Sequence, residues 1–514
     1  MKRAGSRRRT RKKKTMLAKR PFRQLQNPFP PLEVLDEEAV QLIHTTSLDL
    51  LEETGLEMWD AEARAILREA GAEVDEAAER VRFPRDMVET AVSQAPSQFT
   101  LHARNPAKNL TIGGRNGHIA FGAVGGPPFV TDGRRGRHEA TIGDLHTFNK
   151  LIHVSDVLTL GGGHLVEPSD LPRTTAHLDA AYADVVLTDK AGRGNGLGRQ
   201  VTEDSITMWA IGMADSSLTT EQAMAALQER VVLMTVINAN SPLRYDGEML
   251  QGLMALARNR QAPMITPFIL AGAMSPVSMP SAVMQQNAEV LGGITLAQTV
   301  SPGCPVVYGG FVSPLDLQSG ATSFGTPEGS WAQYATAQMA RFYEVPLRSV
   351  GCLTTAHAAD AQAAYESLFS LMPAVLARTP IITQAAGWLD GGLTASFEKF
   401  VLDVQLLELV AGMCQLPQVT PDSFILDDIK AVGPGGHHLG TANTIENFRS
   451  AFYRAPLSTR MSYEAWAETG QTTTAVRATE RWQALLKGYK RPFIDPGVDE
   501  ALQAYMAQQN ERLS

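Results

Sequence analysis

Cysteine is scarce in this chain of 514 residues, and what there is has no pattern. Cys304, Cys352 and Cys414 are far apart and odd in number, and they show no ligand spacing. That excludes a disulfide framework and a cysteine-based zinc site. They read as buried reduced thiols, and Cys352 alone sits at a predicted strand end beside the candidate site. No apolar run approaches the ~18–20 residues of a membrane span. The basic N-terminus lacks an apolar h-region, so no secretory signal is read and a cytoplasmic protein is expected. No G-x-G-x-x-G follows a strand and opens a helix, which weighs against dinucleotide binding. The glycines of 192–198 come without a Walker lysine and read as a mobile loop. H-E-x-x-H is missing, His437 and His438 are adjacent and would diverge on a strand, and no metal triad is found, so no metal is expected. The loops also lack a carboxylate dyad of the kind that general acid–base chemistry uses.

What is present is ordinary in amount and uneven in placement. The chain is 44% hydrophobic and 19% charged, with 43 glycines, 29 prolines and a net charge of −8. Residues 1–23 hold twelve Lys or Arg and no acid, which leaves the remainder at about −20. Like charges at that density repel, so residues 1–25 are expected to form a disordered basic tail. The tail would fold back on the acidic body or dock a partner. Aromatic residues do not interleave with it before Phe22, so nucleic-acid binding is not the expected reading.

Residues 26–140 read as an α+β lead-in. Asp36 caps a helical pattern that runs to Thr54, and Gly55 stops it. Gly113-Gly114, Asn116-Gly117 and Gly125-Gly126 punctuate short apolar runs in the manner of hairpins. From 141 to 440 apolar runs alternate with helical spacing. The strand candidates are Val157–Leu160, Asp184–Leu187, Leu233–Ile237, Met264–Ile269, Val306–Tyr308, Leu347–Gly351 and Ile381–Thr383, with a weak one at Phe424–Leu426. Eight strand–helix units over about 280 residues predict an α/β fold of the TIM (β/α)8 barrel type, with its site at the C-terminal ends of the strands. A doubly wound sheet is the alternative. Residues 441–514 carry helical runs only and read as a helical extension.

The chemistry-bearing residues concentrate between Pro305 and Glu366. Tyr308, Phe311 and Phe324, with Trp331 and Tyr334 three apart on the next helix, have the makings of an aromatic cage. Such a cage binds quaternary ammonium through the negative faces of its rings. His357 opens the following loop, and Gln362 and Glu366 are four apart on the helix after it. Glycines at strand ends, as in Gly161-Gly-Gly-His164 and Gly387-Trp388, let backbone approach a bulky partner.

The sequence resembles the trimethylamine methyltransferase family, the corrinoid-dependent MttB-type enzymes. The resemblance runs over nearly the whole chain. It rests on Tyr308-Gly-Gly-Phe311 with Asp316, Gly320 and Gly325-Thr-Pro-Glu328, on Asp360-Ala-Gln362 and Glu366, and on Ala386-Gly387 with the run from Asp390 to Lys399. Thr188-Asp-Lys190 and Gly198-Arg199 fit too. It implies a barrel methyltransferase that moves a methyl group from an amine to the cob(I)alamin of a separate corrinoid protein. The archetype acts on trimethylamine through pyrrolysine, in the region equivalent to 354–362. Ordinary residues stand there in this chain, as in members that resemble glycine betaine methyltransferases.

The chemistry agrees with that departure. A quaternary ammonium releases a neutral amine, so its methyl carbon is open to direct in-line attack, given proximity, alignment and a dry pocket. His357 and Glu366 are the expected catalytic positions. Tyr308, Phe311, Phe324, Trp331, Tyr334 and Gln362 are the expected substrate contacts, and Gly161, His164, Asp189, Gly272 and Gly387 the expected corrinoid-facing positions. For a substrate carboxylate, the candidate donors are the backbone after Thr326, Arg199, Lys190 and His357. The expected partners are a small methylated amine, a corrinoid protein and further copies of the chain. Trimethylamine as substrate, or a non-catalytic binder of quaternary ammonium, are the alternatives.

Overall fold

The computed structural model describes residues 22–513, so most of the basic tail expected over 1–25 lies outside the described residues. Its centre is a curled sheet of eight strands. They are β1 (Leu25–Gln26), β2 (His118–Phe121), β3 (Gly192–Arg193), β4 (Leu233–Ile237), β5 (Ala262–Ile265), β6 (Val307–Gly309), β7 (Leu347–Val350) and β8 (Ile381–Thr383). The order is β1-β2-β8-β7-β6-β5-β4-β3. All neighbours are parallel except β1 and β2, where Leu25 faces Ile119. Helices lie between most of the parallel strands, which buries both faces of the sheet and explains the near-continuous apolar runs of β4 and β5. The segment at Leu160 and Gly161 runs between β2 and β3. Leu160 N–H donates to Phe121 O of β2 at 3.0 Å, and Gly161 N–H donates to Ala191 O at the start of β3 at 2.8 Å.

Side chains alternate across each strand. Ala120, Leu160, Met234, Met264, Val307 and Ile381 pack together inside the curl. The hairpin of Gln98–Leu101 and Leu110–Gly113 adds Leu101, Leu110 and Ile112 to that layer, beneath the N-terminal ends of the strands. Tyr308, between inward Val307 and Gly309, necessarily points outward. The N-terminal helices Glu37–Glu53 and Arg85–Gln94 pack on the long helix Met279–Val300. Their caps follow the sequence: Asp36 accepts from Ala39 N–H, and Thr141 and Asp144 form a capping box for Ile142–Val154.

The strands expected at Leu233–Ile237 and Ile381–Thr383 have those bounds, and the expected runs at 306–308 and 347–351 differ from β6 and β7 by one residue at their ends. Met264–Ile269 is divided into β5 and a short strand Ile269–Ala271, which pairs with Val312–Pro314 above the main sheet. Four readings are corrected. Val157–Leu160 is not a strand, and only Leu160 makes a single bridge, to Ala191. Asp184–Leu187 is the end of a helix, Ala176–Leu187, because Leu178, Ala181 and Val185 repeat at helical spacing on a buried face. Phe424–Leu426 is no strand but the entry to a short helix, Leu426–Val432. His118–Phe121, within the lead-in expected over 26–140, pairs with Ile381 and Ile382 in the central sheet. Gly192–Arg193, read as loop, is also a sheet strand. Its glycine lies against the Trp209 ring, and an added Cβ would fall 2.4 Å from that ring. Beyond residue 441 the described residues contain helices and no strand, among them Thr474–Lys487 and Pro496–Leu513.

Candidate active site

The loops that leave the C-terminal ends of β7 and β8 are tied to each other. Asp390 N–H donates to Ala356 O at 2.9 Å and Gly391 N–H to Thr354 O at 3.2 Å. Side chains repeat the link, with His357 Nδ1 2.6 Å from Asp390 Oδ1. Arg137 reaches Asp390 Oδ2 at 3.4 Å while its guanidinium lies 3.7 Å over the Phe129 ring. His357 itself projects into solvent, its side chain 86% exposed.

Glu366 is the buried anchor of the β7 loop. It rises from the helix Ala361–Leu376, which Asp360 caps. Its carboxylate accepts the Thr354 hydroxyl at 2.6 Å, the Thr355 N–H at 2.9 Å and the Gln362 amide at 2.8 Å. These donors occupy much of the carboxylate's accepting capacity, so Glu366 holds loop shape. Next to this loop, Lys399 and Asp403 form a buried pair at 2.5 Å, and Asp403 also accepts Gly387 N–H at 2.9 Å. Burial and the facing Asp403 push the Cys352 thiol well up, so it stays protonated and is no nucleophile.

Four aromatic rings form a chain across the strand ends. Phe268 meets Phe311 edge-on at 4.7 Å, Phe311 meets Phe324 at 5.9 Å, and Phe324 meets Trp388 edge-on at 6.4 Å. The cavity beside Phe311 and Phe324 is small, about 20 Å³. A larger cleft of about 620 Å³ lies near His44, Glu89 and Tyr343, among helices remote from these rings, and it shares none of this chemistry.

Two arginines are buried within the curl. Arg193 Nε donates to Gly162 O at 3.0 Å, and Arg193 is held near Asp184. Asp184 in turn accepts Gly163 N–H at 2.5 Å and the Asn149 amide at 3.0 Å. Burial raises its carboxyl to about 7, against the pull of Gly163, Asn149 and Arg193. Arg348, on β7, donates Nε to Thr383 Oγ1 at 2.7 Å and Nη2 to Gln384 Oε1 at 2.6 Å, and its guanidinium lies 5.7 Å from the Phe311 ring centre.

The predicted cage residues therefore separate. Phe311 and Phe324 join the ring chain. Tyr308 points the other way, its hydroxyl donating to Asn287 at 2.8 Å and its ring stacking on Tyr343. Trp331 and Tyr334 pack with that outer cluster of helices. Their spacing puts them on one helix face, but it is the face turned from the rings. His357 lies on the β7 loop, and Gln362 and Glu366 rise from the helix that follows it. Gly272 and Gly387 follow strands, whereas Gly161 and His164 follow the segment 157–160, which makes only a single bridge from Leu160 to Ala191. His164 pairs with Glu167, and its carbonyl accepts Gly126 N–H at 2.8 Å.

Asp189 is at the opposite end. It precedes β3 and is held by Lys108, Asn105 and His153, and those donors keep its carboxyl well below the usual range against the opposing effect of burial. The misplacement follows from reading Asp184–Leu187 as a strand. Of the carboxylate donors expected, Lys190 is buried with its ammonium on the carbonyls of Ile152, Ser155 and Leu158, and Arg199 is paired with Glu62 on the surface. Neither is free to take a ligand. Sequence reading missed Phe268, Trp388, Arg348 and Gln384 as site residues. One signal was available: Arg348 is a charge in the middle of a short buried strand, where charges are rare unless used. Among the described residues, no group of three or more His, Cys, Asp or Glu is placed to hold a metal ion. No described helix is long and apolar enough to cross a membrane.

The aromatic rings and the two buried arginines thus gather at the C-terminal ends of the strands of an α/β sheet. The family model "Trimethylamine methyltransferase (MTTB)" matches residues 2–514, and the chain belongs to that family of methyltransferases. It is 38% identical over 485 residues to a glycine betaine methyltransferase of Desulfitobacterium hafniense strain Y51, covering 94% of this chain and 98% of that one. It is 28% identical to a proline betaine:corrinoid methyltransferase of Eubacterium limosum, covering 91% of this chain and 96% of the relative. A trimethylamine methyltransferase MttB2 of Methanosarcina mazei is 27% identical, with 92% and 94% covered. Among solved structures, the monomethylamine methyltransferase MtmB of Methanosarcina barkeri matches at a TM-score of 0.49 and 10% identity, with 90% of each chain covered.

Proposed function

We propose that this chain transfers a methyl group from a quaternary methylammonium compound of the glycine betaine type to cob(I)alamin carried by a separate corrinoid protein. We further propose that β2 to β8 belong to a closed TIM (β/α)8 barrel, with residues 158–161 as its eighth strand and antiparallel β1 outside the count. The observation that carries the reading is the ring chain Phe268–Phe311–Phe324–Trp388 at the strand ends. It gives a methylated cation negative ring faces and little water. The higher identity to a betaine enzyme than to the trimethylamine enzymes supports the same choice of substrate.

In this reading the protein binds and aligns. The rings stabilise a positive charge that fades as the methyl group leaves, so a loose cage favours turnover over tight binding. Glu366 and the His357–Asp390 contact hold the β7 and β8 loops at the distance the substrate needs. The corrinoid supplies the nucleophile that accepts the methyl group. The backbone at Gly126 suits close approach by a flat macrocycle, because a Cβ there would meet only the His164 ring, at 3.9 Å. A transient partner fits that mouth, and a cytoplasmic location goes with cob(I)alamin chemistry. The test is the spectral change of free cob(I)alamin on methylation, with a panel of quaternary and tertiary methylamines. Methylation by quaternary donors supports the reading, and methylation by trimethylamine alone overturns the choice of substrate.

A further inference from the structure

We infer that Arg348 is the carboxylate-binding residue of the site and makes it selective for methylated ammonium compounds that carry a carboxylate. This rests on the proposed function above and names the second recognition element of the same pocket. Buried guanidinium groups are normally paired, because desolvating an unpaired charge is costly. Arg348 is buried at 2% exposure, and its Nη1 has no hydrogen-bond partner. Among the described residues no carboxylate pairs with it: Thr383 and Gln384, both neutral, hold its other two nitrogens. The charge nearest it in effect is Arg193, which repels it, and burial together with that repulsion lowers its pKa to about 9. Arg193 already has backbone carbonyls and Asp184.

The neighbours of Arg348 are held in place for this role. Gln384 carries a φ of +48°, a left-handed conformation that costs a non-glycine residue, and it accepts from both Arg348 and Thr383. The guanidinium lies beside Phe311, the second ring of the chain, at 5.7 Å. A betaine has its cation and carboxylate a single methylene apart. One zwitterion therefore meets an aromatic ring and an unpaired arginine at once. A planar fork is suited to a carboxylate, and an ammonium on a lysine stem is a poorer substitute.

The test compares binding of glycine betaine, choline and 3,3-dimethylbutanoate by calorimetry to the full chain. Choline keeps the cation and loses the carboxylate, and 3,3-dimethylbutanoate does the reverse. Wild type should bind betaine at least about tenfold tighter than choline and should retain binding of 3,3-dimethylbutanoate. Arg348→Met should weaken betaine by about 100-fold and abolish the preference over choline, with Arg348→Lys between. Equal wild-type affinity for betaine and choline overturns the inference without any variant. So does unchanged betaine affinity in a folded Arg348→Met. Betaine binding that depends on Arg348 without methylation of cob(I)alamin overturns the proposed reaction and leaves this subsite standing. Methylation from betaine that ignores Arg348→Met does the opposite.

A different observation points to a second surface. Residues 415–454 fold into short helices, yet none of them is buried. Their apolar side chains face outward: Val419 is 79% exposed, Leu439 78% and Phe452 84%, with Phe424, Ile429 and Phe448 also open. A segment that buries nothing cannot offset its own ordering entropy. We propose that this arm is completed by the same arm of a second copy of the chain. Its ten large exposed apolar side chains offer on the order of the ~800 Å² per partner that a stable interface needs, and a two-fold pair makes such a patch self-complementary. Light scattering on the full chain should give a multiple of 55.6 kDa, and Phe448→Asp with Phe452→Asp should lower it. A wild-type mass of 55.6 kDa, or a double variant with unchanged mass, overturns the proposal.

Discussion

His357 Nδ1 lies 2.6 Å from Asp390 Oδ1, and this contact joins the loop after β7 to the loop after β8. Because His357 is mostly exposed, the pair acts as a hinge pin at the mouth more than as a source of stability. Asp390 also receives Thr394 and Arg137. Asp390→Ala should therefore cost more than His357→Ala. The expectation is a loss of about 1–2 kcal/mol in denaturant unfolding and about a tenfold fall in methyl transfer for Asp390→Ala. Equal, negligible effects in both variants would show that the two loops need no such link.

The ring chain separates residues that handle the cation from residues that only pack. Phe311→Ala and Trp388→Ala should raise KM for a quaternary amine by roughly three- to thirtyfold, the scale of a lost cation–π contact. Tyr308→Phe removes a buried hydroxyl that donates to Asn287, and it should cost about 1 kcal/mol of stability with kcat/KM intact. Trp331→Ala should likewise act on melting and not on kinetics. Steady-state kinetics beside thermal melts for the four variants separate the two groups.

The Glu366 anchor yields a different signature. Glu366→Gln replaces one acceptor oxygen with a donor that faces the Thr354 hydroxyl or the Gln362 amide. It should destabilise the fold by about 2 kcal/mol and lower kcat more than it raises KM. Hydrogen exchange of the Thr355 N–H should be slow in the wild type and fast in the variant. Continued slow exchange in a destabilised variant would place the loop's order elsewhere.

Much of the fold was legible because β4 to β8 are short apolar runs, each set off by turns from a helix with its own cap. What was not legible depends on partners distant in sequence. His118–Phe121 looks like a hairpin strand until Ile381 and Ile382 pair with it. Gly192–Arg193 is two residues long, and only the neighbouring Leu233 and Met234 make it a strand. Val185 to Leu187 suit a strand locally, and the helical face that begins at Leu178 overrides that preference. In the site, adjacency misled where periodicity should have ruled. Tyr308 and Phe311 are close in sequence, yet alternation sends Tyr308 outward, and Phe311 meets Phe268 from the neighbouring strand end. Arg348 was visible as an anomaly, but its meaning depends on Thr383, Gln384 and Arg193.

Asp184 makes stability depend on pH in an unusual direction. Its carboxyl is held at about 7 in the fold by burial and ionises near ~3.9 in the unfolded chain. Between those values the unfolded state binds fewer protons, so this group's contribution to stability falls as pH rises from about 4 to 7. Asp184→Asn should remove that slope. The wild-type Tm should drop relative to the variant's across this window, and a constant difference would contradict the assignment.

The central claim is methyl transfer from a quaternary ammonium donor, and free cob(I)alamin tests it most directly. Mixed anaerobically with the full chain and glycine betaine, its absorption should shift to the methylated form at a rate proportional to enzyme, slowed by Phe311→Ala. No shift with any quaternary donor, from a chain that binds those donors by calorimetry, would contradict the account and leave a binding protein in its place.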